Sequence, residues 1–232
     1  MSAVMMMSAT AGCDASGIGI DDLRCEYMVE PMAIDNTEPH FSWKMLSGKN
    51  GALSTAYQIL VATDRGKLNE KEADLWNSGK VEGEASSGIS YGGVALSART
   101  HAYWKVRVWN EEGKPSGWSA PASFGVGLLD EADWAEGAGF IGIAQPREEE
   151  NMHISPLLRK TFSYKPGKER VLLHVNSLGY HEAYINGIPV AASPLNPAVS
   201  QHPKRSIINT YDVTDLLVKG ENELVIWAGI GW

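Results

Sequence analysis

Carboxylates that stand close together are the first residues to weigh, because an acid and a base held on one frame can cleave a bond that neither breaks alone. Three clusters qualify: Asp21-Asp22, Glu111-Glu112 and Glu148-Glu149-Glu150. Each sits in a tail or among turn residues such as Gly113-Lys114-Pro115, where charge is expected to be solvated rather than aimed into a pocket. The six His are dispersed, and none stands three or four residues from another on a plausible helix face, the spacing a zinc site would use. There is no Gly-x-Ser-x-Gly elbow and no phosphate-cradling glycine loop ahead of a helix. The expectation is a chain with no catalytic residues, no metal ligands and no cofactor of its own.

Binding chemistry has two candidates. Tyr180, Tyr184 and Trp227 could form an apolar platform on which a sugar ring stacks. Packing of these aromatics against an opposite sheet is the bland reading, and it is the one expected. The segment from Asn196 to Arg205 is long, broken by proline and polar, and such loops carry function more often than strands do. It singles out Asn196, Lys204 and Arg205 as contact residues.

The elements that must position these side chains read as β throughout. From Leu23 to Val126 short alternating runs are broken by turn residues, with Phe41–Met45, Tyr57–Thr63, Ile89–Tyr91, Ala102–Asn110 and Ser119–Val126 the clearest. Trp104, Val106 and Val108 alternate with Lys105, Arg107 and Trp109, so one face enters a core while the other meets water. About seven such strands make an immunoglobulin-like sandwich. Trp43, the Trp104–Asn110 run, Gly113 and Ser116-Gly117-Trp118-Ser119 resemble the fibronectin type III fold, except that Trp104 takes the place of that family's corner Tyr. A second β region follows, with runs at Leu157–Tyr164, Arg170–Ser177, Tyr180–Ile185, Ile188–Ala191 and Glu223–Gly229. Asn186-Gly187 is the strongest hairpin signal, since a type I′ turn needs positive φ at both positions. Asp212 to Leu217 reads as one helical turn capped by Asp212 or Thr214 and ended by Gly220. The fold class is therefore all-β, two β-sandwich domains: residues 21–126, a connector over 127–140, and residues 141–232.

The 24 Gly, 11 Pro and 8 Trp fit frequent turns joining aromatic-rich strands. A net charge of −8 with scattered Lys and Arg repels phosphate backbones, which argues against nucleic acid as a partner. No stretch of 18 apolar residues is present, so no transmembrane segment is expected. Residues 1–20 stand apart as a leader whose Met1–Gly12 stretch is uncharged and rich in Met and Ala, and in which Thr10-Ala11-Gly12-Cys13 resembles a bacterial lipobox, with Thr10 where a Leu is usual. The resemblance implies export and lipidation of Cys13. No Lys or Arg precedes Arg24, so the basic flank of a signal is missing; the alternatives are a start placed inside a longer signal and a disordered tail. Cys13 and Cys25 are too few for a disulfide scaffold, and Cys25 is expected to be a buried small apolar residue.

Read in order, the second half runs Pro156-Leu-Leu-Arg159, Leu178-Gly179-Tyr180-His-Glu182-Ala-Tyr184-Ile-Asn186-Gly187, Leu195-Asn-Pro197, Lys204-Arg205, Thr210-Tyr211-Asp212-Val213-Thr214 and Gly229-Ile-Gly231-Trp232. This order resembles the N-terminal jelly-roll domain of bacterial α-L-rhamnosidases. The first half agrees: Pro39-His-Phe41-Ser42-Trp43, Tyr57-Gln58-Ile59-Leu60-Val61 and Asp74-Leu75-Trp76-Asn77-Ser78-Gly79 resemble the fibronectin-like domain that precedes it. One departure is Ser200 and His202, where the family tends to carry Thr and Tyr. The resemblance implies inverting hydrolysis of terminal rhamnosides by an (α/α)6 barrel further along the family's chain, with the Asn196–Arg205 loop facing that domain. It also places Trp232 partway through the jelly roll, so the second sandwich is expected to be incomplete. The implied function is the non-catalytic front portion of a secreted glycoside hydrolase whose partner is a rhamnose-containing glycan. The alternative is a stand-alone carbohydrate-binding or adhesion module.

Overall fold

The computed structural model describes residues 17–142, 155–167 and 170–229, and it divides into two compact units, Met1–Trp134 and Ala135–Trp232. Among the described residues the elements are strands and 3-10 turns, with no α-helix.

The first unit holds β1 (Ile18–Cys25), β2 (His40–Ser47), β3 (Ser54–Ala62), β4 (Trp76–Asn77), β5 (Val81–Glu82), β6 (Ile89–Ser90), β7 (His101–Asn110) and β8 (Ala122–Gly125). One sheet runs β1-β2-β6 and the other β4-β3-β7-β8, with β5 also on β3. The alternation of β7 works as its sequence implies: Trp104, Val106 and Val108 are fully buried and meet Ile59, Val61 and Phe124, while Phe41 reaches them from the other sheet. Phe41 is the hub, with its ring centroid 4.5 Å from Trp104 and 5.7 Å from Phe124. Two sheets closing on one such core make an immunoglobulin-like sandwich. The indole nitrogens of Trp43 and Trp104 are buried without a partner among the described residues. The tyrosine that ties chain to chain is instead Tyr91, whose hydroxyl bonds the carbonyls of Val94 and Leu75 at 2.7 and 3.1 Å. Burial pushes that phenol up to about 12.

The outer face of β7 is covered by stacked cations. Arg107 lies 4.6 Å from the ring of Trp118 and 4.9 Å from that of Trp109, while Lys105 covers Trp118 and Lys80 covers Trp109. The same guanidinium donates to Gln58 and pairs with Glu70. Beyond Trp104, β7 loses β8 as a neighbour, and residues 115–119 take over. Ser116 and Ser119 donate their amides to the carbonyls of Val108 and Val106 and accept those residues' amides on their hydroxyls.

β1 begins at Ile18, inside the stretch 1–20 set apart as a leader, because Ile18 and Ile20 both enter the core. Cys25 ends the strand buried, and desolvation pushes its thiol up to about 12. Cys13 lies outside the described residues.

The second unit holds β9 (Leu157–Tyr164), β10 (Leu172–Asn176), β11 (His181–Ile185), β12 (Ile188–Pro189), β13 (Ile208–Asp212) and β14 (Gly220–Ala228). Its sheets are β12-β11-β14-β9 and β10-β13. Val175 and Tyr211 from the smaller sheet pack with Ile185, Phe162, Leu224 and Ile226 from the larger, giving a second sandwich core. The β11–β12 hairpin turns through Asn186 (φ 53°) and Gly187 (φ 77°), both left-handed as a type I′ turn demands. Asn186 also ties the hairpin down: its Nδ2 donates to Leu216 O and Asn222 Oδ1, and its Oδ1 accepts from the Glu223 amide. The turn after β13 is a 3-10 turn over Thr214–Leu216, with Asp212 Oδ1 accepting from the Thr214 amide.

Tyr184 and Trp227 correct the expectation that they pack into the core. Along β11 the inward positions are His181, Ala183 and Ile185, so Glu182 and Tyr184 point away from it. Cross-strand pairing of Glu182 with Trp227 places Trp227 on that same outer face, 48% exposed. The alternation is intact, but a histidine occupies an interior place.

Candidate functional site

His181 tolerates that place because every polar atom of its ring is engaged. Ser177 Oγ donates to the carbonyl of Gly179 at 2.7 Å, which spends the only hydroxyl proton. The contact between Ser177 Oγ and His181 Nδ1, also 2.7 Å, must therefore have the imidazole as donor. That assigns the lone pair of a neutral ring to Nε2, which accepts from the Tyr211 hydroxyl at 2.9 Å. Burial favours this neutral form and lowers the His181 pKa, and burial likewise raises that of Tyr211. The chain of bonds runs Tyr211 to His181 to Ser177 to Gly179 and joins the two sheets across the core.

A cavity of about 200 Å³ opens beside this chain, between the start of β11 and the segment that follows β12. His181, Ser193, Asn196 and Tyr211 are polar residues that border it, with Ala183, Ala191 and Pro194 among the apolar ones. The segment is pinned by the amide of His181, which donates to the carbonyl of Asn196 at 2.6 Å, and by Asn196 Nδ2, which donates to Ser193 O at 2.7 Å. The cavity volume is below the ~300–1,000 Å³ of pockets for drug-sized molecules, so one small ring is the largest guest it fits. Glu182 is the one acidic residue bordering it, and its carboxylate, on the outer face of β11, accepts a hydrogen bond from Tyr184. Among the described residues no three His, Cys, Asp or Glu side chains gather as a metal-ligand group.

Comparison with known proteins places the chain. A family model described as the Rha78A-like N-terminal immunoglobulin domain matches residues 20–130, and one described as the alpha-L-rhamnosidase N-terminal domain matches residues 168–232. The chain belongs to the N-terminal domains of the α-L-rhamnosidase family. An alpha-L-rhamnosidase of Formosa agariphila is 36% identical over 220 residues, a match covering 87% of this chain and 23% of the relative. One from Alteromonas sp. is 33% identical over 215 residues, covering 89% and 23%. Among solved structures, the α-L-rhamnosidase from Dictyoglumus thermophilum matches 91% of this chain and 25% of its own with a TM-score of 0.80 at 28% identity. That from Aspergillus terreus matches 93% and 24% with a TM-score of 0.77 at 27% identity. The chain thus spans about a quarter of the length of the rhamnosidases it matches.

Within this rhamnosidase N-terminal framework the three residues read as contacts separate. Asn196 lines the cavity. Lys204 and Arg205 are exposed on a turn whose amides both bond Gln201 O, and neither lines the cavity. Ser200 and His202, the family departure, face one another at 3.4 Å, and the Ser200 hydroxyl also donates to Arg205 O, closing that turn on itself. His181, Glu182 and Tyr211 were missed as site residues. The available signal was parity: His181 is in phase with Ala183 and Ile185, which marks an interior histidine in need of partners.

Proposed function

We propose that this chain forms a non-hydrolytic front portion of a secreted α-L-rhamnosidase-type glycoside hydrolase that acts on terminal rhamnosides of plant or microbial glycans. The observation that supports this reading is that Glu182 is the one acidic residue bordering the cavity and turns its carboxylate to the outer face of β11. Inverting hydrolysis needs a protonated acid and a base about 6.5–9.5 Å apart with a water between them. Glu182 is instead committed on one oxygen to Tyr184. Hydrolysis is then the task of the (α/α)6 barrel of the family, and the segment around Asn196, Lys204 and Arg205 is the face turned toward it or toward the glycan. Export with Cys13 as lipid anchor completes the reading, and loss of membrane association in a Cys13→Ala variant tests that part.

The activity test uses an aryl α-L-rhamnoside. The purified chain should release no aryl group above a buffer blank, and a version that includes a helical barrel should release it with inversion at the anomeric carbon. Release by this chain that disappears in Glu182→Gln would overturn the proposal. The second reading, a stand-alone binding module, draws support from the lining of the cavity.

A further inference from the structure

One face of the larger sheet of the second unit packs the core, and the other carries an exposed apolar patch. Leu224 and Ile226 of β14 turn inward, so Val225 and Trp227 turn outward. Cross-strand pairing sets Glu182 and Tyr184 of β11 beside them on one flank and Leu157 and Arg159 of β9 on the other. The row Glu182-Trp227-Leu157 thus lies next to the row Tyr184-Val225-Arg159, which joins Trp227, Leu157, Tyr184 and Val225 into one patch. Leu157 is 65% and Trp227 48% exposed. A contiguous apolar patch rimmed by charge marks a contact surface. Its polar edge is ordered in advance, since Tyr184 donates to Glu182 and Arg159 pairs with Glu223.

The flanking charges select the occupant. Glu182 stands on the β11 side of the central strand β14 and Arg159 on the β9 side. A two-fold axis parallel to β14, running above Trp227 and Val225, lays β11 of one copy over β9 of another. Each Glu182 then meets the flank that holds the partner's Arg159, with Trp227 against Trp227 at the centre. Turning the second copy the other way would lay β11 over β11 and β9 over β9, gathering the carboxylates on one side and the guanidiniums on the other. A patch whose two flanks carry opposite charge is complementary to itself about that first axis.

We infer that this face is a dimerisation surface on which a second copy of the chain packs sheet to sheet, β14 over β14, at the aligned angle of about 30°. With strands about 4.8 Å apart and β14 nine residues long, the four-stranded face measures at most about 19 by 30 Å, the low end of specific interfaces, so the dimer is a weak one. The experiment is sedimentation equilibrium of the chain from about 5 to 500 µM, with circular dichroism of each variant to verify its β content. The expected result is a monomer–dimer equilibrium with a Kd of about 20–200 µM. Trp227→Asp and Leu157→Asp, both at exposed positions, should each raise that Kd about tenfold or more. Glu182→Arg and Arg159→Glu should each raise it about three- to tenfold, and the double variant that swaps the two charges should recover most of the loss. The swap alters only exposed residues at the flanks, so it decides the matter even where an Asp in the middle of the sheet lowers stability. A chain that stays monomeric at about 500 µM overturns the inference. So does a dimer indifferent to Trp227→Asp and Leu157→Asp, or a double charge variant in which the two losses add instead of cancelling.

Discussion

The Tyr211 hydroxyl and His181 Nε2, 2.9 Å apart, join the small sheet of the second sandwich to the large one beside an apolar cluster of Val175, Ile185 and Val213. Both residues are buried, Tyr211 with 9% and His181 with 2% of its surface exposed. Tyr211→Phe should leave a buried acceptor unmade and cost about 1–3 kcal/mol. Urea unfolding followed by amide exchange in β10, β11 and β13 measures this, and unchanged protection there would contradict the assignment.

The same pair sets a pH dependence. The His181 pKa is lowered in the folded state, so the unfolded chain takes up a proton first as the pH falls. Stability is therefore full above the ordinary imidazole value of 6.5 and declines below it, by at most about 1.4 kcal/mol per pH unit for this one group, until the folded state titrates too. His181→Gln should be less stable near neutrality and should lack this part of the slope between about pH 6.5 and 5. Equal slopes for the two proteins would remove His181 as the cause.

In the first sandwich Trp104 is fully buried and Trp43 nearly so. Replacing either by Ala should cost about 3–5 kcal/mol, since a large void opens in a close-packed core. Trp104→Phe should be milder than Trp104→Ala, because its indole nitrogen has no partner to lose among the described residues. Calorimetry on the three variants gives the order directly.

At the hairpin, Gly187→Ala imposes a side chain on a left-handed residue and should cost about 1–2 kcal/mol. Asn186→Ala should cost more, because three side-chain hydrogen bonds at about 0.5–1.5 kcal/mol each go with it. A reversed order in thermal unfolding would mean that the turn, not the asparagine's bonds, holds β11 to β14.

Arg107→Ala should uncover Trp109 and Trp118 and shift indole emission to the red, with a loss of about 1–2 kcal/mol. Arg107→Lys should recover only part of this, since an ammonium cannot lie flat between two rings while bonding Gln58 and Glu70. Emission that stays put in the Ala variant would show that the rings are covered by other groups.

What could be read from the residues and what could not divides on physical grounds. β7 and the Asn186-Gly187 turn were legible because alternation and positive φ are local properties. β1 is hidden in the sequence because its alternation breaks between Asp21 and Arg24, where the register with β2 shifts and Asp22 takes φ 48°. β13 does not stand out as a strand in the sequence, since Asn209, Thr210 and Asp212 look like turn residues until β10 pairs with them. The candidate site was half legible. Asn196 followed from its loop, whereas His181 and Tyr211 depend on a contact between residues 30 apart that no local pattern announces. Hydrophobicity alone points Tyr184 and Trp227 inward, whereas His181, in phase with Ala183 and Ile185 on β11, marks the interior face.

The two serine hydroxyls that receive the amides of Val106 and Val108 have a consequence for how this domain behaves in company. A ten-residue strand whose second neighbour ends after four pairs would ordinarily present an open row of donors, a template on which a stranger's strand can grow. Here that row is already occupied from within the chain, by a segment too short and too turned to be extended in its own right. The longest strand among the described residues is therefore sealed against β-augmentation on that side, and the sandwich can meet other proteins at close quarters without knitting to them.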